Sequence, residues 1–496
     1  MRQSEGAVRA NGRKPHRPRT PLARRSARWL DDRLGAAGFA RKALHKVFPD
    51  HWSFYLGELA LWSFVIILVT GVYLTFFYEA SIEEVVYDGS YAPLRGVEMS
   101  KAYDSTLDLS FDVRAGLVMR QMHHWAALVF VASTSVHLAR VFFTGAFRKP
   151  RELNWMVGVT LLILAIVEGF AGYSLVDDQL SGTGLRIAYN IAVSIPLVGT
   201  WVASLFFGGE FPGEDIISRL YVLHILLLPV LIAAVIGAHL AILVRHKHTQ
   251  CPGPGRREDN VVGERVWPTF ATKGLGLFFL TAAVLAALGG LAQINPIWLY
   301  GPYRVADVSA ASQPDWYMGW LDGGLRLMPS FEIRAFGYEL PNPFFPGVVL
   351  PGITFTLLLL WPFLEARVTG DRAEHHLLDR PRDRPVRTAL GVATMTFYTV
   401  LFFGGASDVL AITFDLSLNA LFVTLQVLCL LLPPLAGWTT YRLCKELALR
   451  DRPGATEASG ATGDAAPSDG GEHRREVAPE DDVEREPAST TGVPQA

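Results

Sequence analysis

The sequence predicts an all-α integral membrane protein with eight transmembrane helices, and three observations carry that prediction. Half of the 496 residues are hydrophobic and the mean hydropathy is +0.26, as in membrane-spanning chains. Eight stretches are apolar enough to cross a hydrocarbon layer about 30 Å thick, which takes about 20 residues of helix. The loops between those stretches alternate in charge.

The stretches are residues 56–78, 120–143, 155–176, 221–245, 274–294, 347–364, 387–405 and 417–437, the first to eighth spans. Basic residues gather before the first span and in every second loop: Arg148, Lys149 and Arg151, then Lys247, Arg256 and Arg257, then Arg372, Arg380 and Arg384. The intervening loops are acidic, with Glu83, Glu84, Asp104 and Asp108 in one and Asp177, Asp178, Glu210 and Asp215 in another. The positive-inside rule then places both termini in the cytoplasm, as an even number of spans requires. The expected location is the cell membrane. Residues 187–207 are apolar but contain Pro196 and Gly199, and read as short helices on the outer face rather than a ninth span.

The chain divides into four parts: a basic cytoplasmic extension (1–50), a four-helix domain (51–250), a second four-helix domain (251–450) and an acidic tail (451–496). The tail is Gly, Ala, Pro, Ser and acid, a composition that cannot bury a core. Residues 29–50 alternate apolar and charged groups at helical spacing, as an interfacial helix or a soluble linker helix would. The basic N-terminus lacks the apolar core of a secretory signal. A net charge of −2 points to no partner, and nothing indicates nucleic-acid binding. The three cysteines form no C-x-x-C pair, so covalent haem attachment, iron–sulfur ligation and disulfide frameworks find no support.

Chemistry enters with histidines in apolar spans, where ionisable groups are costly and mark function. His123 and His137 lie 14 residues apart in the second span, and His224 and His239 lie 15 apart in the fourth. Fourteen residues make close to four helical turns, so each pair shares a face at two depths roughly 21 Å apart. Two such helices create two stacked sites of two imidazoles each. Structural zinc takes four protein ligands, whereas haem brings four equatorial nitrogens and needs only two axial imidazoles. An iron so filled carries electrons and has no open position. Gly57 and Gly71 in the first span, and Gly158 and Gly172 in the third, repeat the 14-residue interval. Glycine lets a flat macrocycle approach a helix closely. Arg120 and Arg140, each three residues from a histidine, suit haem propionates or simple snorkelling to the interface.

These residues resemble the cytochrome b subunit of quinol:cytochrome c oxidoreductases. The resemblance covers roughly residues 50–445 and rests on "RQMHHWAALVFVASTSVHLAR", "NWMVGVTLLILAIVEGFAGY", "LYVLHILLLPVLIAAVIGAHLAILVRHKH" and "PDWYMGWLDGGLRLMP". It implies two haem b groups, a low-potential one on His123 and His224 and a high-potential one on His137 and His239. His124 is left a bystander. Pro314, Asp315, Trp316 and Tyr317 match the family's P-E-W-Y at the outer quinol site, with aspartate in place of glutamate. Near a quinol hydroxyl a carboxylate is a general base; otherwise Asp315 is an N-cap of the next helix. Asp322 is the alternative base, and the turn at Gly172 and Tyr173 borders the site.

The wording of the motifs is most similar to the actinobacterial, menaquinol-oxidising version. That implies a Rieske iron–sulfur subunit, a di-haem c-type cytochrome, cytochrome c oxidase in a supercomplex and a homodimeric complex. For the inner quinone site the candidates are His246, Lys247, His248 and Lys273, although Gly274 stands where the family has an acid beside the lysine. Two rival readings remain, another haem-b membrane anchor and a non-redox proton-coupled transporter.

Overall fold

The computed structural model describes residues 44–307, 313–335 and 337–450, with eight positions between Ser26 and Arg41. Most of the expected N-terminal extension and the acidic tail lie outside the described residues. Within 29–50, Trp29, Asp31, Gly38 and Arg41 are helical. The chain then changes to a short strand, β1 (Val47–Phe48).

All eight spans are present: Trp52–Thr75, Gly116–Phe143, Glu152–Ser174, Ile216–His246, Val266–Leu291, Phe345–Thr369, Pro385–Gly405 and Leu418–Arg450. Most begin or end several residues outside the apolar stretches. Hydropathy marks only the part that needs hydrocarbon, while helical hydrogen bonds continue into polar flanks. The eighth shows this best, running through Pro433 and Pro434 to Arg450.

The loops order the two ends of the bundle. At the basic face, β1 pairs with β4 (Glu264–Arg265); there too the His375 amide donates to Lys149 O at 2.9 Å. At the acidic face, β2 (Glu84–Val86) pairs with β3 (Glu98–Ser100), and helix α1 (Lys101–Phe111) follows, capped by the Ser100 hydroxyl. Tyr103 of α1 donates to Ile297 O at 3.0 Å, tying this loop to the one after the fifth span. Residues 187–207 belong to two short helices, α2 (Gln179–Val193) and α3 (Gly199–Phe207). No ninth span forms among the described residues, because Pro196 and Leu197 (φ 67°) turn the chain between them. Helix α4 (Gly319–Leu327) follows the PDWY segment, and α5 (Ser407–Phe414) joins the last two spans.

The first four spans share one core. Phe64, Phe130, Leu162 and Ile232, one from each span, are buried together. Each lies between the two glycines or two histidines of its span, so this apolar layer separates the two levels. Elsewhere large apolar side chains such as Val69, Phe279 and Leu430 are exposed, as lipid-facing positions are.

A buried ion cluster locks the basic face. Arg387, 4% exposed, donates from Nη1 to Asp379 at 2.8 Å and from Nε to Glu365 at 3.0 Å. Arg148 reaches Asp379 at 3.3 Å, and the Trp361 indole donates to Glu365 at 3.0 Å. Three chain segments therefore meet on one guanidinium. Removing one partner of such a cluster costs about 3–5 kcal/mol, because buried charges lose their counterion. Arg387→Met is expected to lower the thermal unfolding temperature of the detergent-solubilised protein markedly; an unchanged midpoint would refute this role.

Candidate functional site

The four histidines converge as their spacing predicts, and the structure explains the unequal intervals. The fourth span is not α-helical throughout. Leu223–Leu227 form one π turn, in which the Leu228 amide donates to Leu223 O. Pro229 cannot donate to the Ile225 carbonyl, and a π turn absorbs one extra residue. Fifteen residues from His224 to His239 therefore span what fourteen span in the second helix. His224 sits in the π turn itself.

His123 and His224 face each other with ring centroids 6.1 Å apart and planes at 77°. A metal–imidazole distance of about 2 Å on each side, plus about 1.1 Å from nitrogen to ring centre, gives about 6.2 Å. That spacing would let the two rings hold one metal between them. They line a cavity of about 240 Å³ with Phe130, Ile232 and Arg120. His137 and His239 lie within electrostatic range of each other at the second level.

The glycines do more than clear a path for a flat ring, since each stands against one imidazole. A methyl at Gly71 would come 3.1 Å from His123 Cε1, and at Gly57 3.3 Å from His137 Cε1. At Gly158 it would come 3.6 Å from His239 Cε1, and at Gly172 2.8 Å from His224 Nε2. The 14-residue interval of the glycines thus copies that of the histidines because each glycine seats a ring.

The arginines also suit an anionic group. Arg120 is 8% exposed, and its Nε and Nη2 have no hydrogen-bond partner. Arg140 donates from Nε to Ser53 at 3.3 Å and lies over the Phe54 ring, but its Nη2 is buried and unpartnered. Neither forms an ion pair among the described residues. Buried guanidinium hydrogens without acceptors are costly; carboxylates of a bound haem would satisfy them. Asp178 lies near Arg120, but its Oδ1 accepts from the Ser181 amide and caps α2. Burial lifts its carboxyl to about 6, against the pull of Arg120.

The PDWY segment closes over this cavity. Asp315 precedes a 3-10 turn, Trp316–Met318, yet its side chain makes no cap hydrogen bond. Its Oδ1 instead lies 2.7 Å from His124 Nε2, and its Oδ2 accepts from the Tyr317 hydroxyl at 3.1 Å. His124 is therefore no bystander: it holds the carboxylate of a loop 191 residues away. Tyr317 is 3% exposed, and Gly169 of the third span makes room for its ring. A second cavity, of about 100 Å³, lies on the other side of Asp315, lined by Pro314, Leu321 and Phe170. Tyr173, Asp315 and Tyr317 line both cavities. Trp316 is 38% exposed. Asp322 also lines the second cavity, but Arg326 binds it at 2.9 Å. Burial raises its carboxyl, and Arg326 opposes the rise.

Lys273 stands apart from this centre, at the basic face. Its ammonium lies 2.9 Å from both Asp50 and Glu264, so the acid missing at Gly274 is supplied by other segments. The His248 ring packs against Phe48 in a tilted arrangement, centroids 4.2 Å apart, and burial pushes its imidazole down to about 3. Two acids inside apolar spans escaped sequence reasoning. Glu58 faces Gly274, its Oε2 buried and unpartnered. Glu168 lies 3.1 Å from His224 Nδ1. A carboxylate in an otherwise apolar span is signal enough to have found both.

An eight-span bundle with paired histidines at two levels is the architecture of the cytochrome b class of membrane proteins. The comparisons agree. A family described as cytochrome b (N-terminal)/b6/petB matches residues 128–302. The cytochrome bc1 complex cytochrome b subunit of Mycobacterium tuberculosis is 54% identical over 429 residues, 86% of this chain and 78% of the relative. That of Streptomyces coelicolor is 50% identical over 447 residues, 89% and 81% of the two chains. A solved structure described as a hyperthermophilic respiratory complex III covers 84% of this chain and 99% of its own, with TM-score 0.62 and 21% identity; it shows the fold. The chain belongs to the family of cytochrome b subunits of bc1 complexes. Membership makes it a multi-pass membrane protein of respiratory electron transport, a haem b protein and one subunit among several.

Proposed function

We propose that this subunit oxidises menaquinol at the acidic face and sends electrons along two routes. The observation that carries the reading is the wall of Tyr173, Asp315 and Tyr317 shared by the two cavities. A quinol in the cavity beside Pro314 and Met318 has the Asp315 carboxylate within reach, with the His123/His224 level directly behind it. Asp315 accepts a proton from the quinol hydroxyl, while His124 and the Tyr317 hydroxyl fix its orientation. The acidic face is the outer one by the positive-inside rule, so both termini are cytoplasmic and the proton leaves outward.

His123 with His224, and His137 with His239, would hold two haem b groups, with Arg120 and Arg140 placed to pair with their carboxylates. Held by two imidazoles, haem would supply one-electron transfer rather than oxygen chemistry there. One electron goes to a Rieske iron–sulfur partner and on to a di-haem c-type cytochrome. The other crosses to a quinone at the basic face near Lys273, storing about 2.3 kcal/mol per charge per 100 mV. A homodimeric complex associated with cytochrome c oxidase completes the proposal.

The test is a dithionite-reduced-minus-oxidised spectrum of the purified protein. Two b-type components are expected. Absence of any b-type α-band would reject the haem reading and leave the transporter alternative.

A further inference from the structure

Glu168 has no part in the proton and electron paths proposed above, yet it is an acid buried in the third span. Its side chain is 13% exposed, with Oε1 3.1 Å from His224 Nδ1. Its own backbone carbonyl lies 3.2 Å from the same nitrogen. Its Oε2 is buried with no hydrogen-bond partner.

The other three imidazoles are held differently. His123 meets neutral groups, the Thr70 hydroxyl at 3.0 Å from Nδ1 and the backbone of Ile67. His137 Nδ1 is buried with no hydrogen-bond partner, and His239 has only a neutral neighbour, the backbone of Asn154. Among these four, His224 alone carries a carboxylate behind its ring.

That difference has an electronic consequence. The Nδ1–H of His224 donates to the Glu168 backbone carbonyl, which fixes the tautomer and makes Nε2 a more basic ligand, and the Glu168 carboxylate 3.1 Å from the same nitrogen puts an acidic group beside the ring. A more basic ligand, with an anion close by in a poorly screened site, favours the more positive oxidation state of the metal it holds. We infer that Glu168 is a positioning residue that holds the His123/His224 haem at a lower reduction potential than the His137/His239 haem. The inference rests on the haem reading above and deepens it. It places the cause of the downhill order, from the quinol side to the basic face, in a named side chain.

The experiment is a potentiometric titration of the b-type α-bands in the purified complex, for the unsubstituted protein and for Glu168→Gln. Glutamine keeps the shape and a carbonyl acceptor but removes the charge. The lower of the two potentials is expected to rise by about 59 mV, a tenfold change in a one-electron equilibrium. The higher is expected to stay, and Glu168→Asp to fall back toward the original value. Both haems bound with neither potential moved would overturn the inference and leave the haem reading standing. So would a rise confined to the higher potential. If Glu168→Gln loses a haem, Glu168→Asp decides: retention near the original potential supports the carboxylate, and loss there too overturns it. Absence of b-type bands in the unsubstituted protein fails the haem reading itself.

Discussion

Asp315→Asn is expected to slow quinol:cytochrome c turnover by about 10²–10⁴-fold, the usual worth of a positioned general base, while both haems stay bound. Asparagine keeps the size of the side chain and still pairs with His124 and Tyr317, which hold Asp315 at 2.7 and 3.1 Å. It cannot accept a proton. The structure also removes the main structural objection. Asp315 makes no side-chain cap to the turn that follows it, so the substitution costs no helix start. Steady-state turnover measured beside the haem spectrum separates the outcomes. Turnover at the original rate would exclude Asp315 as the base and return the role to Asp322. That residue begins with a handicap, since Arg326 already binds it at 2.9 Å and itself reaches Asp408 at 3.0 Å.

The contrast between Asp315 and the histidines shows what a sequence can disclose about such a site. Side chains on regular helices are legible because helix pitch converts spacing into direction: His123 and His137 had to share a face. The glycine intervals were legible for the same reason, although their partner was not, because pitch says nothing about which ring a backbone meets. The 15-residue interval became intelligible only through the π turn at Leu223–Leu227. The eight spans were legible from transfer energetics, but their ends were not, since polar flanks remain helical without hydrocarbon. The His124–Asp315 contact was out of reach. It joins a helix to a loop 191 residues away, and no periodicity relates the two. The resemblance to cytochrome b named His124 a bystander because it compares positions one at a time, whereas the pairing depends on two residues at once. Lys273 shows the converse. Its neighbour Gly274 suggested a lost partner, while Asp50 and Glu264 supply the charge from elsewhere in the chain.

Gly172→Ala is expected to lose the haem at His123 and His224 while the haem at His137 and His239 remains. A methyl at Gly172 would stand 2.8 Å from His224 Nε2 and 2.9 Å from Nδ1, with Cε1 closer still. Real side chains do not come so near, so the imidazole must swing away. Its freedom is small, because the backbone and side chain of Glu168 hold Nδ1 from the neighbouring turn. Without His224 in place, the proposed haem would keep only one of its two imidazoles. The same substitution at Gly158 places the methyl 3.6 Å from His239 Cε1, an ordinary van der Waals contact, so Gly158→Ala is expected to keep both haems. Haem-to-protein ratio, together with the two components of the reduced α-band, measures the difference. Each glycine sits in a span whose helix tolerates alanine well, so general destabilisation would affect both variants alike. Equal haem loss from the two would mean that the glycines serve helix packing rather than the rings; loss from Gly172→Ala alone means that closeness to one imidazole decides which haem the bundle holds.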